Sequence, residues 1–257
     1  MSKIKNNDVL LYISGRPIPI PQCNIVMHQP TIKQIAAFGE EEFLIASQTL
    51  ANVSSIIAPL RQSGNSELEA YSDFQLLLAV AINDEDLKKA LTVFFNLVFP
   101  DYVLDITEND IQFSLKNDES KNIIGMLNPF NFDSFSKVVQ NLFCMARDDE
   151  ELELNPANER AAAIAEKIKA GRKKLKEIKS RESDIGSMYA NYVSVLSIGL
   201  GMDINILLGY TPFQLLDAFN RYWAKVSNDI FQKLSTTPLM DTSKLEKPKE
   251  WSRNLYS

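Results

Sequence analysis

The sequence predicts a mainly α protein with small β-hairpins, an α+β class, and three observations carry that prediction. Capping boxes mark three helix starts: Thr31 with Gln34, Ser72 with Gln75, and Thr211 with Gln214. In each, a hydroxyl and an amide side chain satisfy orphan first-turn N–H groups reciprocally. Behind them apolar residues recur at three- and four-residue steps, the helical period. Alternating runs are few, short and bracketed by turn residues, so strands belong to hairpins rather than to a large sheet. At 257 residues, with 45% apolar and 23% charged residues, the chain has an ordinary soluble composition and length for a sizeable core.

In chain order, residues 8–28 read as an N-terminal hairpin: DVLLYI, then SGRPIPIPQ, then NIVMH. Pro17, Pro19 and Pro21 alternate with isoleucines, which makes that segment extended but a poor donor, suited to a sheet edge. A capped helix follows from Ile32 to about Val53, with Ile32, Ile35, Gly39, Phe43, Ala46 and Leu50 as its apolar stripe. Glu40, Glu41 and Glu42 fall mostly across from that stripe. Neighbours along a helix diverge by about 100°, so these carboxylates cannot converge on one metal and read as a solvated face.

QSGNSE is a turn-rich joint, and the Ser72 box then opens a helix through LLLAVAI. Asp84, Glu85 and Asp86 suit the first turn of the next helix, which runs through LKKALTVFFNLVF and stops before Pro100. YVLDI-TEND-IQFSL is a second hairpin, and the segment after Asp133 or Ser134 is helical through LFCMA.

DDEELE, at 148–153, marks a boundary by charge. Three parts result: an N-terminal α+β part at 1–150, an acidic linker with a long charged helix at 151–182, and a C-terminal helical part with an extended tail at 183–257. The long helix opens at Asn155-Pro156. Its positions Ala161, Ile164, Ile168, Gly171, Leu175 and Ile178 form a heptad seam with a hole at the glycine, beneath a basic outer face. The C-terminal part has helices in MYANYVSVLSIGLG and DINILLG. The Thr211 helix follows, with Pro212 at its first position and Leu216, Phe219, Trp223, Val226 and Ile230 as its buried stripe.

Catalytic and metal signatures are sparse. His28 is the single histidine, at a strand end with no nucleophile motif near it, and reads as structural. Cys23 and Cys144 are far apart, which fits two reduced thiols and not a zinc site. No phosphate loop occurs, and Gly199-Leu200-Gly201 lacks the third glycine of a dinucleotide motif and reads as a helix end. Asp105, Thr107 and Asn109 imitate a calcium loop. Asp110 occupies the position of its required glycine and Lys116 that of its bidentate glutamate, so a turn is expected.

Asp148 with Glu151, or Asp149 with Glu153, share a helical face open to loose magnesium binding, and a solvated linker is the plainer account. The net charge of −6 and the pI of about 5.0 argue against nucleic acid. The VLLYI core is too short for a signal peptide, and no apolar run approaches a membrane span. The expectation is a non-enzymatic interaction protein without cofactor, nucleic acid or membrane contact.

Three blocks carry a resemblance. The first is Gln29-Pro30-Thr31-Ile32 with Ile35, Gly39-Glu40 and Phe43; the second is Asn155-Pro156-Ala157-Asn158 with AAAIAEKIKAGRKKLKE. The third comprises Thr211, Gln214, Asp217, Arg221 and Tyr222, followed by the tail PKEWSRNLYS. Together they resemble tail assembly chaperone-like proteins encoded in the tail gene clusters of phages of Gram-positive bacteria. That resemblance implies a cytoplasmic, non-catalytic helper in the host cell that holds the long tape measure protein until tail-tube subunits polymerise around it. Tail-tube subunits and a second copy of the chain are further candidate partners. The alternative is a structural virion component, a baseplate or connector subunit.

The candidate partner-binding residues are Ile164, Ile168, Leu175, Ile178, Arg221 and Trp251. The four seam residues pack either on the body or on a client helix. Trp251 either anchors a partner or pins the tail. Arg221 is a recognition residue by the resemblance; by spacing it is the i,i+4 partner of Asp217, an exposed pair contributing roughly a few tenths of a kcal/mol.

Overall fold

The computed structural model describes residues 6–62, 70–118, 120, 122–143, 186–236, 250 and 252. The elements in order are α1 (Asn6–Ile13), β1 (Ile18–Ile20), β2 (Ile25–Met27), α2 (Ile32–Phe38), α3 (Glu40–Ala51), α4 (Val53–Gln62), α5 (Asp73–Asn83) and α6 (Glu85–Val98). Then come β3 (Tyr102–Ile106), β4 (Ile111–Leu115), β5 (Ile123–Leu127), α7 (Phe132–Phe143), α8 (Met188–Leu200), α9 (Ile204–Leu208) and α10 (Pro212–Ser235). The protein is mainly helical with two small antiparallel sheets, β1-β2 and β3-β4-β5, as the class prediction has it. The predicted boundary at 151–182 lies outside the described residues.

All three capping boxes form, with both reciprocal hydrogen bonds in each. Asp84 caps α6, its carboxylate accepting from the N–H groups of Asp86 and Leu87 at 3.0 Å each. The second hairpin pairs Tyr102 with Leu115 and Ile106 with Ile111. α7 begins one residue ahead of the expected Asp133 start.

The first hairpin is corrected. DVLLYI is helix α1, and the hairpin is confined to β1 and β2, with Ile18 opposite Met27 and Ile20 opposite Ile25. A run of six apolar and acidic residues without interruption has no periodicity to separate strand from helix. The decision is tertiary: Tyr12 is buried edge-on against Phe213 of α10, ring centroids 5.4 Å apart.

The single helix from Ile32 to Val53 is also corrected, because it breaks at Gly39. That residue has φ 127° and ψ 106°, a conformation that L side chains rarely adopt. The glutamates thereby become the first turn of α3, where the helix dipole favours negative charge. The wet-face expectation holds for Glu41, which is exposed, and fails for its neighbours. The Tyr189 N–H of α8 donates to Glu40 Oε1 at 3.0 Å, and Lys89 Nζ of α6 donates to Glu42 Oε1 at 2.6 Å. Helix α4 and strand β5 were not anticipated by pattern.

The core forms where α3 packs against α6 and α7. Phe43, Phe94 and Phe143 contact one another with centroids 5.0 to 5.7 Å apart. Phe99 continues the cluster to Phe113 of β4 at 5.0 Å. Such offset and edge-on pairs stabilise beyond their buried area. The two sheets meet at Gly125. A Cβ there would lie 2.5 Å from Ile25 Cγ2 and 2.7 Å from the Cys23 carbonyl oxygen, so only glycine allows the approach.

Candidate functional site

Helix α10 is anchored firmly at its start. The Thr211 N–H donates to Gln214 Oε1 at 2.8 Å, and the Gln214 side chain amide donates to the Ile13 carbonyl at 2.7 Å. One cap thus closes the helix and clips α1 onto it. Pro212, Phe213, Leu215 and Asp217 are buried. The predicted stripe is therefore corrected: Leu216, Phe219 and Val226 are half-buried, while Trp223 and Ile230 are exposed. Helices α1, α7 and α8 all contact α10, and Ala218, Phe219 and Tyr222 of α10 pack against the core.

Helix α8 lies close on α10. Tyr192 packs on Phe219 with centroids 4.3 Å apart. At Gly199 a Cβ would lie 2.4 Å from Tyr222 Cζ, so the glycine lets the ring rest on the helix backbone. Gly201 then ends α8 in the left-handed region at φ 64°, as a helix C-cap requires. The Ser197 hydroxyl donates to the Met202 carbonyl at 2.8 Å, and Asp203 caps α9 by accepting from the Asn205 N–H at 2.7 Å.

This arrangement leaves large apolar side chains in water. Ile198 is 87% exposed, Trp223 49%, and Leu200, Ile204, Ile206 and Ile230 are also exposed. On α10, Phe219, Tyr222 and Trp223 form a ring series, the first two with centroids 6.1 and 6.2 Å from Trp223. Polar residues of α10, among them Asn220, Lys225 and Asp229, flank these rings. Exposed apolar side chains rimmed by polar ones are the composition of a protein-interaction surface, and tryptophan is the typical energetic anchor.

Of the predicted partner residues, Arg221 alone lies among the described residues; Ile164, Ile168, Leu175, Ile178 and Trp251 lie outside them. Arg221 is half-buried on α10, on the face it shares with Asp217. Its Nε donates to Asp217 Oδ2 at 2.9 Å, as the spacing predicts. The exposed-pair expectation is corrected, since Asp217 is only 8% exposed and its Oδ1 has no hydrogen-bond partner among the described residues. Trp223 was assigned to the core because its spacing fits the stripe. Its helical neighbours Asn220 and Ser227 are polar, the signal that could have placed it outside.

The residues weighed for chemistry are engaged elsewhere. His28 Nε2 pairs with Asp101 Oδ2 at 2.9 Å, and its backbone N–H donates to the Val98 carbonyl at 2.7 Å. Burial pushes the Cys23 thiol up to about 11, which disfavours the reactive thiolate. In the β3-β4 turn the Thr107 hydroxyl donates to Asp110 Oδ1 at 2.8 Å, and Asn109 Oδ1 accepts from Gln75 Nε2 at 2.8 Å. These oxygens tie the turn to itself and to α5. Among the described residues no three His, Cys, Asp or Glu side chains gather as metal ligands, and no helix is long and apolar enough to cross a membrane. No family model matches the chain, nor does any curated protein or solved structure.

Proposed function

We propose that this chain is a phage tail assembly chaperone: a non-catalytic protein that binds the tape measure protein in the host cytoplasm and assists assembly of the tail tube around it. The observation that carries this reading is the exposed apolar and aromatic surface of α8, α9 and α10. A holder of a helical, apolar client needs such a surface, and the net charge of −6 keeps the loaded chain in solution. The third block of the resemblance adds support, since Thr211, Gln214, Asp217, Arg221 and Tyr222 all fall at the start and in the first three turns of α10. Tail-tube subunits and a second copy of the chain are further partners of the same surface.

Co-expression with the tape measure protein tests the reading. The client is expected to stay soluble and to co-purify with the chain. Ile206→Glu combined with Trp223→Glu is expected to release it while the circular dichroism melt stays within a few degrees of the parent. A client that precipitates equally with and without the chain would overturn the proposal. Mass spectrometry of purified virions separates the alternative: a chaperone is absent from them, whereas a baseplate or connector subunit is present in fixed ratio.

A further inference from the structure

Helix α10 carries more apolar surface than the described core covers. Leu216, Phe219, Trp223, Val226 and Ile230 follow steps of three, four, three and four. That is a heptad seam, with Leu216, Trp223 and Ile230 at a positions and Phe219 and Val226 at d. Phe219 packs against the core, but the core formed by the described residues does not extend to Trp223, Val226 or Ile230. Trp223 is 49% exposed and Ile230 52%. The open part of the seam is two turns, about 10 Å long. A seam of this kind is covered by a second helix of the same spacing.

The chain itself carries such a partner. Ala161, Ile164, Ile168, Gly171, Leu175 and Ile178 repeat the same steps, with Ala161, Ile168 and Leu175 at a and the others at d. They belong to residues 144–185, which join α7 to α8 outside the described residues. The flanking e and g positions of this seam hold Arg160, Lys167, Arg172, Lys174 and Lys179. Two copies of it would therefore meet with like charges face to face. The e and g positions of α10 beside its open turns hold Asn220, Tyr222, Ser227 and Asp229, and no cation. Charge thus favours pairing of the seam with α10 over pairing with itself.

Side-chain size sets the register. In an antiparallel pair an a residue of one helix faces a d residue of the other. Trp223, the bulkiest open residue of α10, sits at a and then meets the gap at Gly171, at d. That match puts Ile168 against Val226 and Ile164 against Ile230, and it sets Lys167 beside Asp229 at facing g positions. A parallel pair faces a with a, and Gly171 then never meets Trp223. Connectivity agrees with the antiparallel sense, which brings the end of the seam to the early turns of α10. There Tyr192, in the second turn of α8, already packs on Phe219 with centroids 4.3 Å apart. Residues 179–187 span up to about 30 Å when extended, ample for that link. We propose that the seam at 161–178 docks antiparallel on α10 of the same chain, with Trp223 seated at Gly171. A client helix would compete with it for α10, a consequence for the chaperone reading on which the inference itself does not rest.

The test is disulfide trapping in the full chain carrying Cys144→Ser. Ile168→Cys with Val226→Cys is expected to form an intramolecular disulfide at least fivefold faster than Ile168→Cys with Trp223→Cys, the contact of a parallel pair. Non-reducing electrophoresis separates the looped monomer from a cross-linked dimer. A second measurement needs no new cysteine. With Trp251→Phe, Trp223 is the one remaining tryptophan. Its quenching by acrylamide is expected to rise at least twofold when Ile164→Glu and Ile168→Glu are combined. Gly171→Leu is expected to raise it too, although leucine is the better helix former, because the seat for the indole is then filled. Equal trapping rates, or quenching unchanged in both variants, would overturn the proposal. A cross-linked dimer as the main product would also overturn it and assign the seam to a second copy.

Discussion

Arg221→Ala isolates the one predicted partner residue that lies among the described residues. Asp217 and Arg221 have side chains 11% and 31% exposed, so the pair lies between the exposed and the buried case. An exposed pair contributes about 0.2–1 kcal/mol. Breaking a buried pair costs about 3–5 kcal/mol, because it leaves a charge without compensation. Here the carboxylate already has Oδ1 unpartnered among the described residues, and removing Arg221 takes the 2.9 Å bond from Oδ2 as well. Water can reach the vacated site through the exposed third of the arginine. The expected cost is therefore about 2 kcal/mol, above the surface range and below the buried one. For a chain of this size that lowers the melting temperature by about 4–8 °C. Urea denaturation followed by circular dichroism, on Arg221→Ala, Asp217→Asn and the double variant, measures it. The double variant should cost at least about 1 kcal/mol less than the sum of the two single costs, since a neutral amide at position 217 no longer needs the guanidinium. A single-variant cost below about 0.5 kcal/mol, or strict additivity, would refute the account of a half-buried, uncompensated carboxylate.

Gly125→Ala places a methyl group 2.7 and 2.8 Å from two carbonyl oxygens, of Cys23 and Asn24, which cannot rotate away. We expect a loss of about 2–3 kcal/mol, the upper end for overpacking, read as a lower urea midpoint. The hydrogen bond from Lys89 holds the Glu42 carboxyl below its ordinary range, and the same pair raises Lys89. A depressed carboxylate contributes stability above its unfolded value of about 4.3 and loses it as pH falls through the lower folded value. A raised lysine contributes below its unfolded value of about 10.4 and loses that contribution as pH rises further. Glu42→Gln should therefore lower the urea midpoint at pH 7 and converge with the parent at acid pH; a constant gap across that range would contradict the pairing. Cys23, buried with its thiol raised to about 11, should resist iodoacetamide at pH 8 in a Cys144→Ser background until urea unfolds the chain. Labelling at the rate of a free thiol would show that the hairpin opens readily.

Local chemistry was legible in the sequence wherever a short-range rule governs it. The boxes at Thr31, Ser72 and Thr211 use hydrogen bonds spanning three residues, so the sequence itself determined those helix starts. The same holds for the β3-β4 hairpin, the acidic first turn of α6 at Glu85 and Asp86 and the helix end at Gly201, each set by neighbours in the chain. Apolar spacing also identified Ile35, Phe43, Ala46 and Leu50 as core, and it did so across a helix break it did not anticipate. What escaped was decided at long range. DVLLYI became helix because Tyr12 found Phe213, at the far end of the chain, and the Glu40 and Glu42 side chains turned inward to meet Tyr189 and Lys89. Trp223 has the spacing of a core residue and lies in water, since periodicity names the face a helix could bury and not how far the body reaches along it. A pattern in one segment records that segment's own preferences; burial depends on the second surface brought against it, and only the tertiary structure supplies that surface.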